Sequence, residues 1–140
     1  MSNLILEKQD IINTYNKKQQ EQCKLYQKYK EIKTQNPNYG YKKISKLLNQ
    51  HYHKTRWWHS NKHTPIPIQT INWLKNKNLI PLKEDNENLK LISKIIGTTF
   101  GDGGIFENLN GIFLSSSELA SIEEFENDLE NIFGNEIKKN

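Results

Sequence analysis

The chain has 140 residues, of which 34% are hydrophobic, so it can build one ordinary domain or two very small ones around a modest core. No apolar run approaches the roughly 20 residues that a membrane-spanning helix needs. The first residues become acidic too early for a secretory signal peptide. A single cysteine, Cys23, excludes an internal disulfide framework. We therefore expect a cytoplasmic protein without a membrane partner.

The charge is distributed unevenly along the chain. The total of 20 basic and 16 acidic side chains leaves a net charge of +4. Residues 1–80 hold 15 basic and 4 acidic side chains, a net of +11, whereas residues 81–140 hold 5 and 12, a net of −7. This asymmetry is typical of a chain with one polyanion-binding half. We predict a basic domain over 1–80, a polar linker over 81–88 and an acidic domain over 89–140.

Helical spacing dominates the basic half. Loosely spaced apolar residues predict a helix over 4–34 with one break near Asn13, and the proline and glycine within 36–40 should end it. A short helix from Tyr41 and a third from about Pro67 to Asn76 follow, because proline is tolerated in a first helical turn. The predicted apolar stripe of the short helix consists of Tyr41, Ile44, Leu47 and Leu48. Residues 49–66 are predicted to form an aromatic, histidine-rich loop.

The sequence of the acidic half predicts four elements in the order helix, strand, strand and helix. The first helix starts near Leu89 and ends at the glycine-rich run 101–104. Leu89, Ile92, Ile96 and Thr99 recur in it at helical spacing, and Ile95 and Phe100 flank them. Strand-like runs at 105–107 and 112–115 flank the Asn-Gly pair at 110–111, which is a strong hairpin signal.

The last helix is predicted to begin at a capping box on Ser121 and to end at Gly134. The predicted fold class is therefore α+β. A mostly helical N-terminal domain precedes a small αββα domain.

Two segments of the basic half resemble the helix-turn-helix class of DNA-binding motifs. Residues 40–48 are similar to its supporting helix, and residues 71–75 to the end of its recognition helix. Lysines neutralise phosphates, and Asn or Gln can pair with adenine in the major groove. The predicted DNA-binding residues are Lys42, Lys43, Lys46, Arg56, Gln69, Thr70, Asn72 and Lys75. Because only Arg56 offers the fork that suits guanine, we expect a preference for A·T-rich sites.

The connection between these helices departs from the motif. It takes about 17 residues, whereas the motif usually needs three or four. The extra residues either add an arm over the DNA backbone or indicate that these two helices are not the motif pair. A further alternative is a small basic three-helix domain whose lysines only solvate it.

Four histidines and two tryptophans lie in the predicted loop. His59 and His63 have the i, i+4 spacing of some zinc sites. However, no cysteine is near, and no carboxylate occurs between Glu31 and Glu84. A loop that packs or faces nucleic acid fits His51, His53, His59 and His63 better. Trp57 and Trp58 either stack on bases or anchor the core, and the sequence leaves the role of this loop open.

The run Ile95-Ile96-Gly97-Thr98-Thr99-Phe100-Gly101-Asp102-Gly103 resembles the motif of the LAGLIDADG homing endonucleases. The resemblance covers about residues 88–134. It implies that Gly97 and Gly101 let two helices touch, and that Asp102 is the catalytic, metal-binding acid. In the family, two such acids hold the Mg²⁺ ions that cleave double-stranded DNA during intron homing. A carboxylate at a helix C-terminus is disfavoured by about 0.3–1 kcal/mol, which a bound Mg²⁺ would offset.

These features lead to one main hypothesis and two alternatives. Since one motif is present and the sequence ends before a second hairpin and helix, we expect a truncated and inactive endonuclease-like half behind a DNA-binding domain. The first alternative is a homodimeric, Mg²⁺-dependent DNA endonuclease that uses Asp102 from each subunit. The second is a non-enzymatic module whose acidic helix 121–133 docks a partner. The target site, and the choice between DNA and RNA, stay open.

Overall fold

The computed structural model describes residues 2–60, 63–107 and 111–137. These residues form seven helices and two two-stranded sheets, which confirms the α+β class. The helices are α1 (Lys8–Thr14), α2 (Lys17–Gln35), α3 (Tyr41–Leu47), α4 (Tyr52–Ser60), α5 (Ile66–Asn76), α6 (Leu89–Asp102) and α7 (Leu119–Phe133). The strands are β1 (Leu4–Leu6), β2 (Leu82–Lys83), β3 (Gly103–Ile105) and β4 (Ile112–Leu114).

The chain divides into two compact units. The N-terminal unit is Leu6–Pro81, and the C-terminal unit runs from Leu82 onward and includes the residues before Leu6. None of the helices in the described ranges is both long and apolar enough to cross a membrane.

The prediction of one helix over 4–34 is wrong at its start. Residues Leu4–Leu6 form β1, which pairs with β2 within the predicted linker. This pairing is remote in sequence, so a local pattern cannot reveal it. The break between helices lies at Asn16 instead of Asn13, because the Asn16 side chain accepts from the Gln19 backbone N–H and caps α2.

The core of the N-terminal unit joins α2, α3 and α4. Tyr29, Ile44 and Trp58 are buried together. The Trp58 ring lies 5.3 Å from the Tyr29 ring and meets the Tyr26 ring edge-on at 5.3 Å. Such aromatic pairs stabilise a fold by about 0.5–1.5 kcal/mol beyond the area they bury. Burial raises the pKa of Tyr29, in keeping with this apolar setting.

The turn between α3 and α4 is short and well defined. Asn49 has a φ of 53°, in the left-handed region that Asn tolerates better than most residues. The Gln50 N–H donates to the Ser45 carbonyl, and the Asn49 N–H to the Lys46 carbonyl. This is the bond pattern of a Schellman C-cap, which satisfies the last carbonyls of α3. A four-residue turn, residues 48–51, therefore connects two packed helices.

The prediction of a loop over 49–66 is wrong because α4 occupies half of it. The main packing partner of α3 is α4. The third predicted helix is confirmed as α5, with proline in its first turn. It packs on α2, and the Tyr15 hydroxyl donates to the Pro67 carbonyl at 2.7 Å.

In the C-terminal unit, α6 packs on α7 and runs directly into the β3–β4 hairpin. The strands are antiparallel, and Gly103 opposes Leu114. A Cβ on Gly103 would collide with the backbone of Phe113, so only glycine permits this close approach. The apolar stripe of α7 is turned into the unit, where Phe125 and Ile132 are buried. This burial removes the surface that an α7 docking module would need.

Three details of the predicted acidic half differ from the structure. The buried residues of α6 are Ile95 and Thr99, whereas Ile96 is half exposed. Helix α7 begins at Leu119 with Glu118 as its N-cap, so Ser121 lies inside the helix and does not cap it. The first strand of the hairpin starts at Gly103, earlier than predicted. The Asn-Gly turn falls partly on residues 108–110, outside the described ranges.

Candidate nucleic-acid interface

Helix α4 turns one face into the protein and the opposite face to solvent. Thr55 and Trp58, one turn apart, are its buried residues. At 100° per residue, the positions farthest from them recur at i, i+3, i+4 and i+7. These positions hold His53, Arg56, Trp57 and Ser60, all of which are exposed. We call these four residues the α4 outer face.

Two buried side chains fix the orientation of this face. Trp58 is only 9% exposed and inserts between α2 and α3. The Thr55 hydroxyl lies 3.0 Å from both the Tyr41 and the Tyr52 carbonyl oxygens, so it links the start of α4 to the start of α3. Because Trp58 packs against α2 and α3 and Thr55 bonds to α3, these contacts fix the orientation of α4 relative to both helices.

The adjacent tryptophans have opposite environments. Trp58 is a core anchor, whereas Trp57 is 55% exposed. The Trp57 ring meets the His63 ring edge-on at 5.6 Å, and its backbone carbonyl accepts from the His63 N–H at 3.3 Å. The sequence left both roles open for both residues, and the structure assigns the core role to Trp58 alone.

The exposed charged side chains of α3 and α4 are all basic. The three lysines of α3 lie on the side opposite its buried residues Ile44 and Ser45, and all three are exposed. These lysines are Lys42, Lys43 and Lys46. Within α4, Arg56 and Lys54 are also exposed, and no acidic residue occurs between Glu31 and Glu84. No described side chain hydrogen-bonds to or ion-pairs with the Arg56 guanidinium, so its donors are available to an external acceptor.

The apolar stripe of α3 is narrower than predicted. Ile44 is fully buried, but Leu47 is 58% exposed. Ser45 takes a place in the interior, where its hydroxyl donates to the Lys42 carbonyl at 2.7 Å. The Lys43 ammonium lies 3.9 Å from the centre of the Tyr39 ring, a cation–π contact.

His51 and His53 form ring contacts at the start of α4. The His51 ring stacks on His53 at 4.5 Å and on Tyr52 at 4.7 Å. His59 lies against Tyr41 of α3. No group of three or more His, Cys, Asp or Glu side chains suited to a metal ion occurs in residues 2–60, 63–107 or 111–137. The zinc alternative therefore has no complete ligand set among them.

The predicted contacts on α5 are exposed, but two of them already hydrogen-bond to backbone carbonyls. The Gln69 amide donates to the Thr64 carbonyl, and the Thr70 hydroxyl donates to the Ile66 carbonyl. Asn72 and Lys75 are exposed on the same helix. These residues thus lie on a helix that packs on α2, whereas Arg56 lies on the helix that packs on α3.

Cys23 is a buried residue of α2. Burial raises the pKa of its thiol. Reactive cysteines are exposed and have a lowered pKa, so this environment does not suit a nucleophile.

In the C-terminal unit, Asp102 is the exposed last residue of α6, and its backbone carbonyl accepts from the Ser115 N–H at 2.9 Å. The side of α6 opposite Ile95 and Thr99 is open. Phe100 there is 74% exposed. A Cβ added at Gly97 or at Gly101 would meet no atom within 4 Å, so within the described chain these glycines do not serve close packing inside one domain.

An ion-pair cluster joins α6 to α7 through Lys94. The Lys94 ammonium lies 2.6 Å from Glu124 and 3.0 Å from Asp128. The hydrogen bonds to Glu124 and Asp128 raise the pKa of Lys94, and the bond from Lys94 lowers the pKa of Glu124. This cluster joins the two helices. Asp102, beyond it, is the single acidic residue of α6, so a site for two Mg²⁺ ions would need a second acid from outside this helix.

The sequence predicted Arg56 as a DNA contact and left His53 and Trp57 open between packing and facing nucleic acid, whereas Ser60 was not predicted. The available signal was the i, i+3 pair Thr55 and Trp58, because it defines a buried side and hence an opposite face. Threonine is mostly found at protein surfaces, so the spacing of Thr55 and Trp58 is a weak indication of a buried side.

No protein-family model matches the chain, and no solved structure matches it. A stretch of 37 residues is 46% identical to part of the tRNA-splicing ligase RtcB of Methanocaldococcus jannaschii. This stretch spans 26% of the chain and only 4% of the length of that protein. The match therefore assigns neither a family nor an activity.

Proposed function

We propose that the protein binds double-stranded DNA through α3 and α4, which act as a helix-turn-helix pair. The observation that carries this proposal is the four-residue turn at 48–51, which joins two packed helices and leaves the α4 outer face exposed. In such motifs the second helix lies in the major groove and the first crosses the backbone. This assignment moves the recognition helix from α5 to α4.

The charge of the N-terminal unit supports the proposal. Phosphate contacts dominate affinity for DNA, and each one makes binding more sensitive to salt. The lysines of α3 and Lys54 of α4 are exposed and have no acidic neighbour in the sequence. A local excess of positive charge with no acidic partner favours a polyanion.

The C-terminal unit has the opposite character. Residues 103–115, which contain the hairpin, hold a single charged side chain, Glu107. A DNA-facing hairpin needs basic side chains to neutralise phosphates. Together with the single carboxylate Asp102, this composition favours an endonuclease-like half that does not cleave DNA.

The salt dependence of binding tests the proposal. Replacing Lys42, Lys43 and Lys46 by Ala should weaken duplex binding and reduce the slope of log affinity against log salt by up to about 2.7, or 0.9 per lost phosphate contact. A Lys83→Ala/Lys90→Ala variant in the C-terminal unit serves as the control and should keep the wild-type slope. An unchanged slope in the triple variant would contradict the role of α3.

A second function rests on a separate observation, the open side of α6 around Gly97 and Gly101. Two copies joined there would bring two Asp102 carboxylates together, and Mg²⁺ held by them would activate water for phosphodiester cleavage. In this case, Mg²⁺-dependent cuts in duplex DNA should disappear in Asp102→Asn, while binding persists. Cuts that survive the substitution would exclude Asp102 as the acid.

A further inference from the structure

The α4 outer face has a composition that differs from the rest of the basic surface. It presents Arg56 and Trp57 side by side, on a helix held in place by Thr55 and Trp58. Arg56 is the single arginine among the 20 basic residues of the chain. Lysine suffices for phosphate contacts, whereas arginine offers a planar fork of donors for bidentate recognition.

The environment of Arg56 keeps this fork free. Its guanidinium has no hydrogen-bond or ion-pair partner among the described residues, and the nearest acidic residues in the sequence are Glu31 and Glu84. In the major groove, the acceptor pair that matches an arginine fork is O6 and N7 of guanine. A free arginine on the outer face of a groove-binding helix therefore favours a guanine contact.

Trp57 supplies a different kind of contact. The indole is more than half exposed, and it makes an edge-to-face contact with the His63 ring. In the major groove, the one apolar group on the base edges is the C5 methyl of thymine. Burying exposed apolar surface against that methyl is favourable, which gives Trp57 a preference for thymine.

We propose that Arg56 and Trp57 are specificity-determining residues that select a guanine and a thymine lying close together in the major groove. This inference rests on the proposed DNA binding through α3 and α4. The two residues are consecutive in the chain, and successive bases are about 3.4 Å apart along each strand, so the two bases lie within a few steps of each other. The target should therefore contain a guanine, in contrast to the preference for A·T-rich sites that the amide side chains of α5, Gln69 and Asn72, predicted.

The test begins by selecting a binding site from a random duplex library with the full-length protein. The selected duplex is then prepared with 7-deazaguanine in place of each guanine, which removes N7, or with deoxyuridine in place of each thymidine, which removes the methyl group. One 7-deazaguanine position should weaken wild-type binding about tenfold, the lower range expected for loss of a bidentate pair. One deoxyuridine position should weaken it severalfold.

Variants identify the residue behind each effect. Arg56→Ala removes every donor to guanine and should bind the guanine and 7-deazaguanine duplexes equally. Trp57→Ala should lose only the sensitivity to deoxyuridine. Lys54→Ala, on the flank of α4, is the matched control and should weaken binding to all duplexes by the same factor. Thermal unfolding of each variant confirms that the exposed substitutions leave the fold intact.

The outcomes separate this inference from the function on which it rests. Salt-dependent binding with no selected sequence, or equal binding of all modified duplexes by the wild type, would overturn the roles of Arg56 and Trp57 and leave DNA binding standing. Modified-base effects that persist in Arg56→Ala and Trp57→Ala would assign the readout elsewhere. The absence of any salt-dependent duplex binding would overturn both proposals.

Discussion

Single residues decide how α3 meets α4. Asn49 holds the left-handed conformation that ends α3, and the two bonds around it direct the chain into α4. A residue with a Cβ and no local hydrogen-bonding side chain is disfavoured there by about 1–2 kcal/mol. Because the turn sets where the α4 outer face points, this one position links backbone geometry to the proposed interface.

We therefore predict that Asn49→Ala lowers the free energy of unfolding by about 1 kcal/mol, whereas Asn49→Gly changes it by less than about 0.5 kcal/mol. All three tryptophans, at 57, 58 and 73, lie in the N-terminal unit, so their fluorescence during urea unfolding reports on that unit alone. Equal stability of Asn49→Ala and the wild type would show that the turn does not need this conformation.

The neighbours Trp57 and Trp58 show what a sequence reveals about single residues. Both are tryptophans at adjacent positions with the same sequence around them, yet Trp58 is buried and Trp57 is exposed. Helical spacing places Trp57 and Trp58 on different faces only if the residues around them are known to form a helix. Because the buried side of α4 includes the polar residue Thr55, the sequence shows no clear apolar stripe there, and neither the helix nor its exposed face could be predicted.

At the scale of elements, helices with wide apolar stripes were predictable and elements that depend on distant contacts were not. Helices α5, α6 and α7 follow their own apolar spacing, and proline or glycine marks one end of α5 and of α7. Helix α4 buries only two residues and relies on packing against α2 and α3. Tertiary packing supplies most of the stability of short helices, so their sequences carry little signal.

The strands show the same difference between local contacts, which could be predicted, and remote contacts, which could not. The partner of β1 follows α5, dozens of residues away along the chain, and the resulting sheet has only two strands. The hairpin signal was local and led to the correct strand pair, but its first strand begins directly at the end of α6. Contacts between neighbouring residues could thus be predicted, whereas pairing between remote residues could not.

Moving the recognition helix to α4 gives a prediction that compares two helices. Replacing two uncharged side chains on α5, Gln69→Ala with Asn72→Ala, should leave specific DNA affinity within about twofold. Replacing two uncharged side chains on the α4 outer face, His53→Ala with Trp57→Ala, should lower it at least severalfold, because the contact of Trp57 with the thymine methyl is lost. Fluorescence anisotropy with the selected duplex measures both. The reverse order would restore α5 as the recognition helix.

At the scale of the whole molecule, two units of opposite charge lie on one chain, and their surfaces suit different contacts. The basic unit exposes charged and aromatic side chains around α4, while the acidic unit exposes Ile96 and Phe100 beside two glycines on α6. An apolar helix face with glycines four residues apart allows close approach of another helix, and a symmetric pair would bury it on both copies. The endonuclease alternative depends on such a pair.

That alternative makes a prediction about mass in solution. If Asp102 works in pairs, the 16.5 kDa chain should sediment at twice that mass, and Phe100→Glu should return it to the monomer because two unpaired carboxylates would be buried in the interface. Glu107→Gln, a change on the hairpin, is the control and should leave the mass unchanged. A wild-type protein that stays monomeric at micromolar concentration, with and without DNA, would contradict the paired site and leave DNA binding by α3 and α4 as the function that the surface supports.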